Sequence, residues 1–114
     1  MQIAQSRGKG RGVFATYQIG KNEVFHVAPV LLINRTTPLG VLDHYVFHWS
    51  KEEVALALGY GSLFNHSNQP NAEFEQVLDK TFPAIKFKAK KTINPGNEIY
   101  INYGHLYEWE NHPR

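Results

Sequence analysis

The chain has 114 residues, 42% of them hydrophobic, with no cysteine and a formal net charge of +2. That length suits one domain burying roughly two-thirds of its unfolded surface, so any active site is shallow or completed by a partner. The missing cysteines exclude disulfides and thiolate zinc sites, and the charge is too mild to demand nucleic acid. No apolar run approaches the ~18 residues of a membrane span, and the N-terminus carries no signal-peptide pattern. A soluble, intracellular protein is expected, cytoplasmic or nuclear.

In chain order, the pattern predicts a mainly β protein. Residues 13–17, 23–27 and 30–33 are short β-branched or aromatic runs separated by Gly20-Lys21-Asn22 and Pro29, which read as strands and turns. From Ser50 the pattern changes: Ser50 three residues before Glu53 makes a capping box, and Val54-Ala55-Leu56-Ala57-Leu58 suits a short helix near 51–58 that Gly59 ends. Residues 84–90 alternate strictly, with Ile85, Phe87 and Ala89 on one face and Lys86, Lys88 and Lys90 on the other, predicting a half-buried strand. Asn94-Pro95-Gly96-Asn97 then turns the chain into a strand over 98–101.

Three short segments carry the chemistry. Lys9-Gly10-Arg11-Gly12-Val13-Phe14-Ala15 opens the chain, Gly61-Ser62-Leu63-Phe64-Asn65-His66-Ser67 with Asn68-Gln69-Pro70-Asn71 sits mid-chain, and Asn97-Glu98-Ile99-Tyr100-Ile101-Asn102-Tyr103-Gly104 lies near the end. Each alone is weak, because Gly-x-Gly and Asn, Pro and Gly are ordinary turn punctuation. In this order and at these separations they resemble the signature of SET-domain protein-lysine methyltransferases, and the likeness looks closest to small stand-alone viral-type SET proteins. It covers nearly the whole chain.

The resemblance implies a SET-domain fold of small curved sheets, with a C-terminal pseudoknot that brings the Asn65-His66 and Tyr103 segments together. It also implies a single domain over residues 1–114 with neither a pre-SET nor a zinc-binding post-SET module, transferring methyl from S-adenosylmethionine to lysine without a metal. Cofactor contacts fall on Lys9, Gly10, Arg11 and Gly12 in the glycine turn, and on Tyr45, Asn65, His66 and Trp109. In the family the Asn side chain lies near the cofactor amine, the His acts mainly through its backbone, and Trp109 could cover the adenine or simply pack the C-terminal tail. Tyr103 matches the catalytic tyrosine. Tyr45, Phe74, Ile101, Tyr103 and Tyr107 match the substrate-lysine channel. Neither Phe74 nor Ile101 can hold a water by a side-chain hydrogen bond, so a di- or trimethylated product is expected. Arg11 stands where small relatives can place a channel tyrosine.

Tyrosine-rich walls suit this chemistry. The reacting amine must be neutral although a free lysine has pKa ~10.4, so an apolar channel beside a sulfonium favours the deprotonated form, and aromatic rings attract the methylammonium product.

Other readings remain. A silent SET-like peptide-binding module would keep the fold, although Asn65, His66 and Tyr103 are all in place. A small basic β-barrel could bind nucleic acid through Lys86, Lys88, Lys90 and Lys91, although a charge row opposite an apolar row is usually a solvated strand face. His44 and His48 have the spacing of two ligands on one helix face but lack a third. Glu73, Glu75, Asp43 and Glu98 are candidates for attracting a basic histone tail. A homodimer is considered, with Leu106 and Trp109 as contacts.

Overall fold

A computed structural model describes residues 1–8 and 10–102, and strands dominate them. In chain order these are β1 (Gln2–Ser6), β2 (Gly10–Phe14), β3 (Val24–Asn34), a 3-10 turn (Gly40–His44), β4 (Val46–His48), β5 (Glu53–Ala57), β6 (Asn65–His66), β7 (Ala72–Val77), β8 (Ala84–Ala89) and β9 (Tyr100–Ile101). They form an antiparallel β1–β2 hairpin, a five-stranded sheet in the order β4-β5-β3-β8-β7, and a two-stranded parallel pair, β6–β9. The expected mainly β architecture is the observed one. No helix among the described residues is long and apolar enough to cross a membrane.

The five-stranded sheet follows from period-two patterning. Along β8, Ile85, Phe87 and Ala89 are buried, whereas Lys86 and Lys88 point outward to Glu75 and Glu73 of β7 at 2.7 and 3.5 Å. The buried face carries an aromatic cluster in which the Phe87 ring lies 4.7 Å from Phe64, 6.3 Å from Phe47 and 6.2 Å from Phe74. Strand β3 is the spine: residues Val24 to Pro29 pair with β8 and Val30 to Asn34 with β5. The sequence predicts two strands broken at Pro29. The chain instead runs straight through, because Pro29 sits where β3 changes partners and its missing N–H interrupts neither ladder.

The helix predicted near 51–58 is a strand. Residues Glu53–Ala57 form β5, paired antiparallel with β3 on one side and β4 on the other. The Ser50 hydroxyl does accept hydrogen bonds from the Glu52 and Glu53 amides, at 3.3 and 3.1 Å, but it tightens the β4–β5 hairpin rather than capping a helix. Helix propensity at Val54-Ala55-Leu56-Ala57 is a weak preference, and two flanking strands override it. Ala55 and Ala57 then face the core, where their small side chains let neighbouring elements approach.

After β5 the chain turns tightly through Gly59, at φ +61°, and Gly61. A Cβ on Gly61 would lie 2.6 Å from the Ala57 Cβ and 2.7 Å from the Ala28 Cβ, so only glycine lets this loop lie flat against the sheet. Phe64 plugs the core, and Asn65 and His66 emerge as β6 beside Tyr100 and Ile101 of β9. The Asn94–Asn97 turn forms as predicted, with Gly96 at φ +88°. The expected pseudoknot depends on the chain beyond residue 102, outside the described residues.

Candidate functional site

The first glycine segment builds one wall of the site. Ser6 pairs with Gly10 across the β1–β2 turn, and Gly10, at φ +71°, adopts a left-handed conformation that is comfortable without a Cβ. Gly12 is needed for space. A Cβ there would lie 2.2 Å from Glu98 Oε2 and 2.9 Å from Asn65 Nδ2.

The Asn-His segment builds the opposite wall. Gly10, Arg11 and Gly12 from the hairpin, Tyr45 after the 3-10 turn and Asn65 at the start of β6 line one cleft of about 390 Å³. Ile3, His44, Ser62, Leu63 and Phe64 complete it. Its volume falls in the ~300–1,000 Å³ range of small-molecule sites. Backbone groups of the hairpin, aromatic Tyr45 and the Asn65 amide suit a ligand with a planar ring at one end and a polar amino-acid group at the other. These residue types fit S-adenosylmethionine.

Asn65 is fastened by two hydrogen bonds from its amide nitrogen. Its Nδ2 donates to the Arg11 carbonyl at 2.9 Å and to Glu98 Oε2 at 2.7 Å. The other carboxylate oxygen, Oε1, accepts from the Ser6 hydroxyl at 2.6 Å and from the Tyr100 hydroxyl at 2.9 Å. Ser6 is almost completely buried. Burial pushes the Tyr100 phenol above its ordinary pKa, and the Glu98 hydrogen bond and negative charge push it the same way. The backbone of this junction is clamped by Asn71, whose Nδ2 donates to the Glu98 carbonyl and whose Oδ1 accepts from the Tyr100 amide, both at 2.8 Å. A larger open hollow of about 560 Å³, partly lined by Glu98, Tyr100 and Asn71, shares no residue with the cleft. Glu98 lines the hollow and holds Asn65 of the cleft.

His66 follows Asn65 on β6, with its Nε2 3.2 Å from Asn68 Oδ1, and does not line the cleft. Phe74 lies on β7 with its ring 5.0 Å from Phe47, and Ile101 is fully buried in β9; both belong to the core side rather than the cleft wall. Lys9, Tyr103, Tyr107 and Trp109 lie outside the described residues. His44 ends the 3-10 turn and His48 ends β4, so the helical spacing suggested for a metal pair is not realised. No group of three or more potential metal ligands occurs among the described residues.

Sequence reasoning missed Ser6, Asn71 and the inward role of Glu98. Asn71 carried a signal, since it closes the Asn-Gln-Pro-Asn segment. Glu98 lies within the Asn97–Gly104 segment, but the sequence offers it only as a candidate for attracting a basic tail, and nothing around it marks it as the partner of Ser6 and Asn65.

The SET domain family model matches residues 10–104. A Schizosaccharomyces pombe histone-lysine N-methyltransferase specific for lysine 37 of histone H3 is 33% identical over 113 residues, covering 94% of this chain and 76% of that protein. A histone-lysine N-methyltransferase of Drosophila melanogaster is 30% identical over 120 residues, covering 91% of this chain but only 17% of its own length. Among solved structures, a candidate histone methyltransferase of Plasmodium falciparum superposes with a TM-score of 0.81 at 35% identity, covering 91% of this chain and 92% of that one.

Proposed function

This chain belongs to the SET-domain family and is a protein-lysine methyltransferase; we propose that it holds S-adenosylmethionine in the cleft between the β1–β2 hairpin and Asn65 and methylates a lysine of a histone-like protein. The observation that carries this reading is convergence: Gly10, Gly12, Tyr45 and Asn65, scattered along the chain, line one cleft.

The cofactor, when bound, supplies a methyl group made electrophilic by the sulfonium. The chain's own residues supply position and environment. Hairpin backbone groups and the Asn65 side chain take the cofactor's amino-acid end, and Tyr45 offers an aromatic wall. Tyr103 acts at the reacting amine, with Tyr107, Phe74 and Ile101 shaping the channel and Trp109 near the adenine. The absence of a water-holding hydroxyl at Phe74 and Ile101 favours more than one methyl per lysine. A nucleic-acid role is disfavoured because Lys86 and Lys88 already pair with Glu75 and Glu73.

Calorimetry with S-adenosylmethionine should give one site per chain, and radiolabelled methyl should pass to histones in the presence of a chelator. Tyr103→Phe should reduce turnover far more than cofactor affinity. Absence of cofactor binding at high micromolar concentration, or activity that depends on added zinc, would overturn the reading.

A further inference from the structure

Asn65 owes its orientation to neighbours that can only accept. An amide has two N–H donors and one acceptor oxygen, and its two ends are told apart by their partners. Here both donors are directed at acceptors: Nδ2 lies 2.9 Å from the Arg11 carbonyl and 2.7 Å from Glu98 Oε2. The flipped amide would set Oδ1 against a carbonyl and a carboxylate. The charged partner makes that choice costly, because a hydrogen bond to an ionised group contributes more than one between neutral groups. Oδ1 is left as the acceptor that Asn65 offers to a ligand.

Glu98 is itself fixed. Ser6, 3% exposed, and Tyr100 both donate to Oε1 and Asn65 donates to Oε2, so the carboxylate accepts three hydrogen bonds. Gly12 supplies the space, since a Cβ there would overlap Oε2 at 2.2 Å. The glycine that the motif assigns to the cofactor thus also admits the group that orients Asn65.

We propose that Glu98 is a positioning residue for the cofactor: it locks the Asn65 amide with Oδ1 presented as an acceptor for the ammonium of the cofactor's amino-acid end. The proposal rests on the cofactor reading above. It assigns Glu98 no contact with the cofactor and no proton transfer. Its influence is confined to the amino-acid end of the ligand, whereas a general weakening of the fold would affect the adenosyl end equally.

The test uses two ligands and three variants of the full chain. S-adenosylhomocysteine carries the amino-acid end; 5′-methylthioadenosine lacks it. Glu98→Ala should weaken S-adenosylhomocysteine about tenfold or more, the scale of a lost charge-assisted hydrogen bond, while 5′-methylthioadenosine binding stays within about twofold. Glu98→Gln should retain most of the affinity, because its oxygen can still accept from Asn65 while its amide donates to the Ser6 and Tyr100 hydroxyls. Adding Glu98→Ala to Asn65→Ala should cost little beyond Asn65→Ala alone, as expected of residues that act through one another. Equal weakening of both ligands, an unchanged S-adenosylhomocysteine affinity in Glu98→Ala, or additive losses in the double variant would each overturn the positioning role alone. A wild-type chain that binds neither ligand would overturn the cofactor reading, and this proposal with it.

Discussion

The five-stranded sheet and the β6–β9 junction are held by different forces. The sheet is cemented by apolar burial, with Phe87 fully enclosed among Phe47, Phe64, Phe74 and His26. The junction has two paired residues on each strand and is held by side-chain hydrogen bonds from Ser6, Asn65, Asn71 and Tyr100. Burial is non-directional and tolerates modest repacking, whereas a polar network fixes atoms in place but fails when one member is removed. The scaffold therefore uses the first and the candidate site the second.

Phe87→Ala should break the sheet side of that contrast with the largest effect. Deleting a buried Phe costs about 3–5 kcal/mol, a large share of the ~5–15 kcal/mol that stabilises a typical domain. Chemical denaturation should show a much lower midpoint, and a midpoint near wild type would mean that the aromatic cluster is not the structural centre. Asn71→Ala tests the junction. It removes the acceptor of the Tyr100 amide and the donor to the Glu98 carbonyl, so a loss of about 1–3 kcal/mol is expected. Hydrogen exchange should accelerate at Tyr100 before it does in β8. Uniform acceleration would show that the two regions unfold as one unit.

A third effect is set by pH and lies at the seam between the regions. The His26 ring packs against Phe64 and Phe87, and its Nε2 accepts from the Tyr60 amide at 3.3 Å. Burial lowers its pKa below the ordinary value of 6.5, against the opposing effect of a hydrogen bond that the ring donates to the Leu58 backbone carbonyl. The unfolded chain then binds a proton that the folded chain resists. Stability is present above the ordinary value, is lost as pH falls through it, and levels off once pH passes below the depressed folded value. Denaturation midpoints of wild type should decline on acidification across this window, and His26→Gln should remove that part of the decline. A decline of the same size in the variant would assign it to other groups.

What could be read from the sequence divides along the same line. The β8 strand and the Pro95-Gly96 turn were legible because alternation and turn chemistry are local. Ser50 was legible as a residue that binds nearby amides, but whether it starts a helix or closes a hairpin depends on β3 and β4, which no window around it contains. The glycine turn and Asn65 were recognisable through family resemblance, and the structure brings Gly10, Gly12 and Asn65 to one cleft. Ser6 and Glu98 were not legible as partners. Their hydrogen bond joins positions 92 apart, and neither carries a mark of the other.

That separation has a kinetic side. The Ser6–Glu98 contact closes almost the whole chain into a loop, and such long-range contacts come with a large entropic barrier that local turns do not face. The hairpin and the β4–β5 turn can form early, whereas the Asn65 amide gains its fixed orientation only when the hairpin and the Glu98 segment have met. A ligand selective for that closed arrangement would draw the population toward it by mass action. Cofactor occupancy would then accompany the last stage of folding, so that the ability to bind marks a chain in which Ser6 and Glu98 have been brought together.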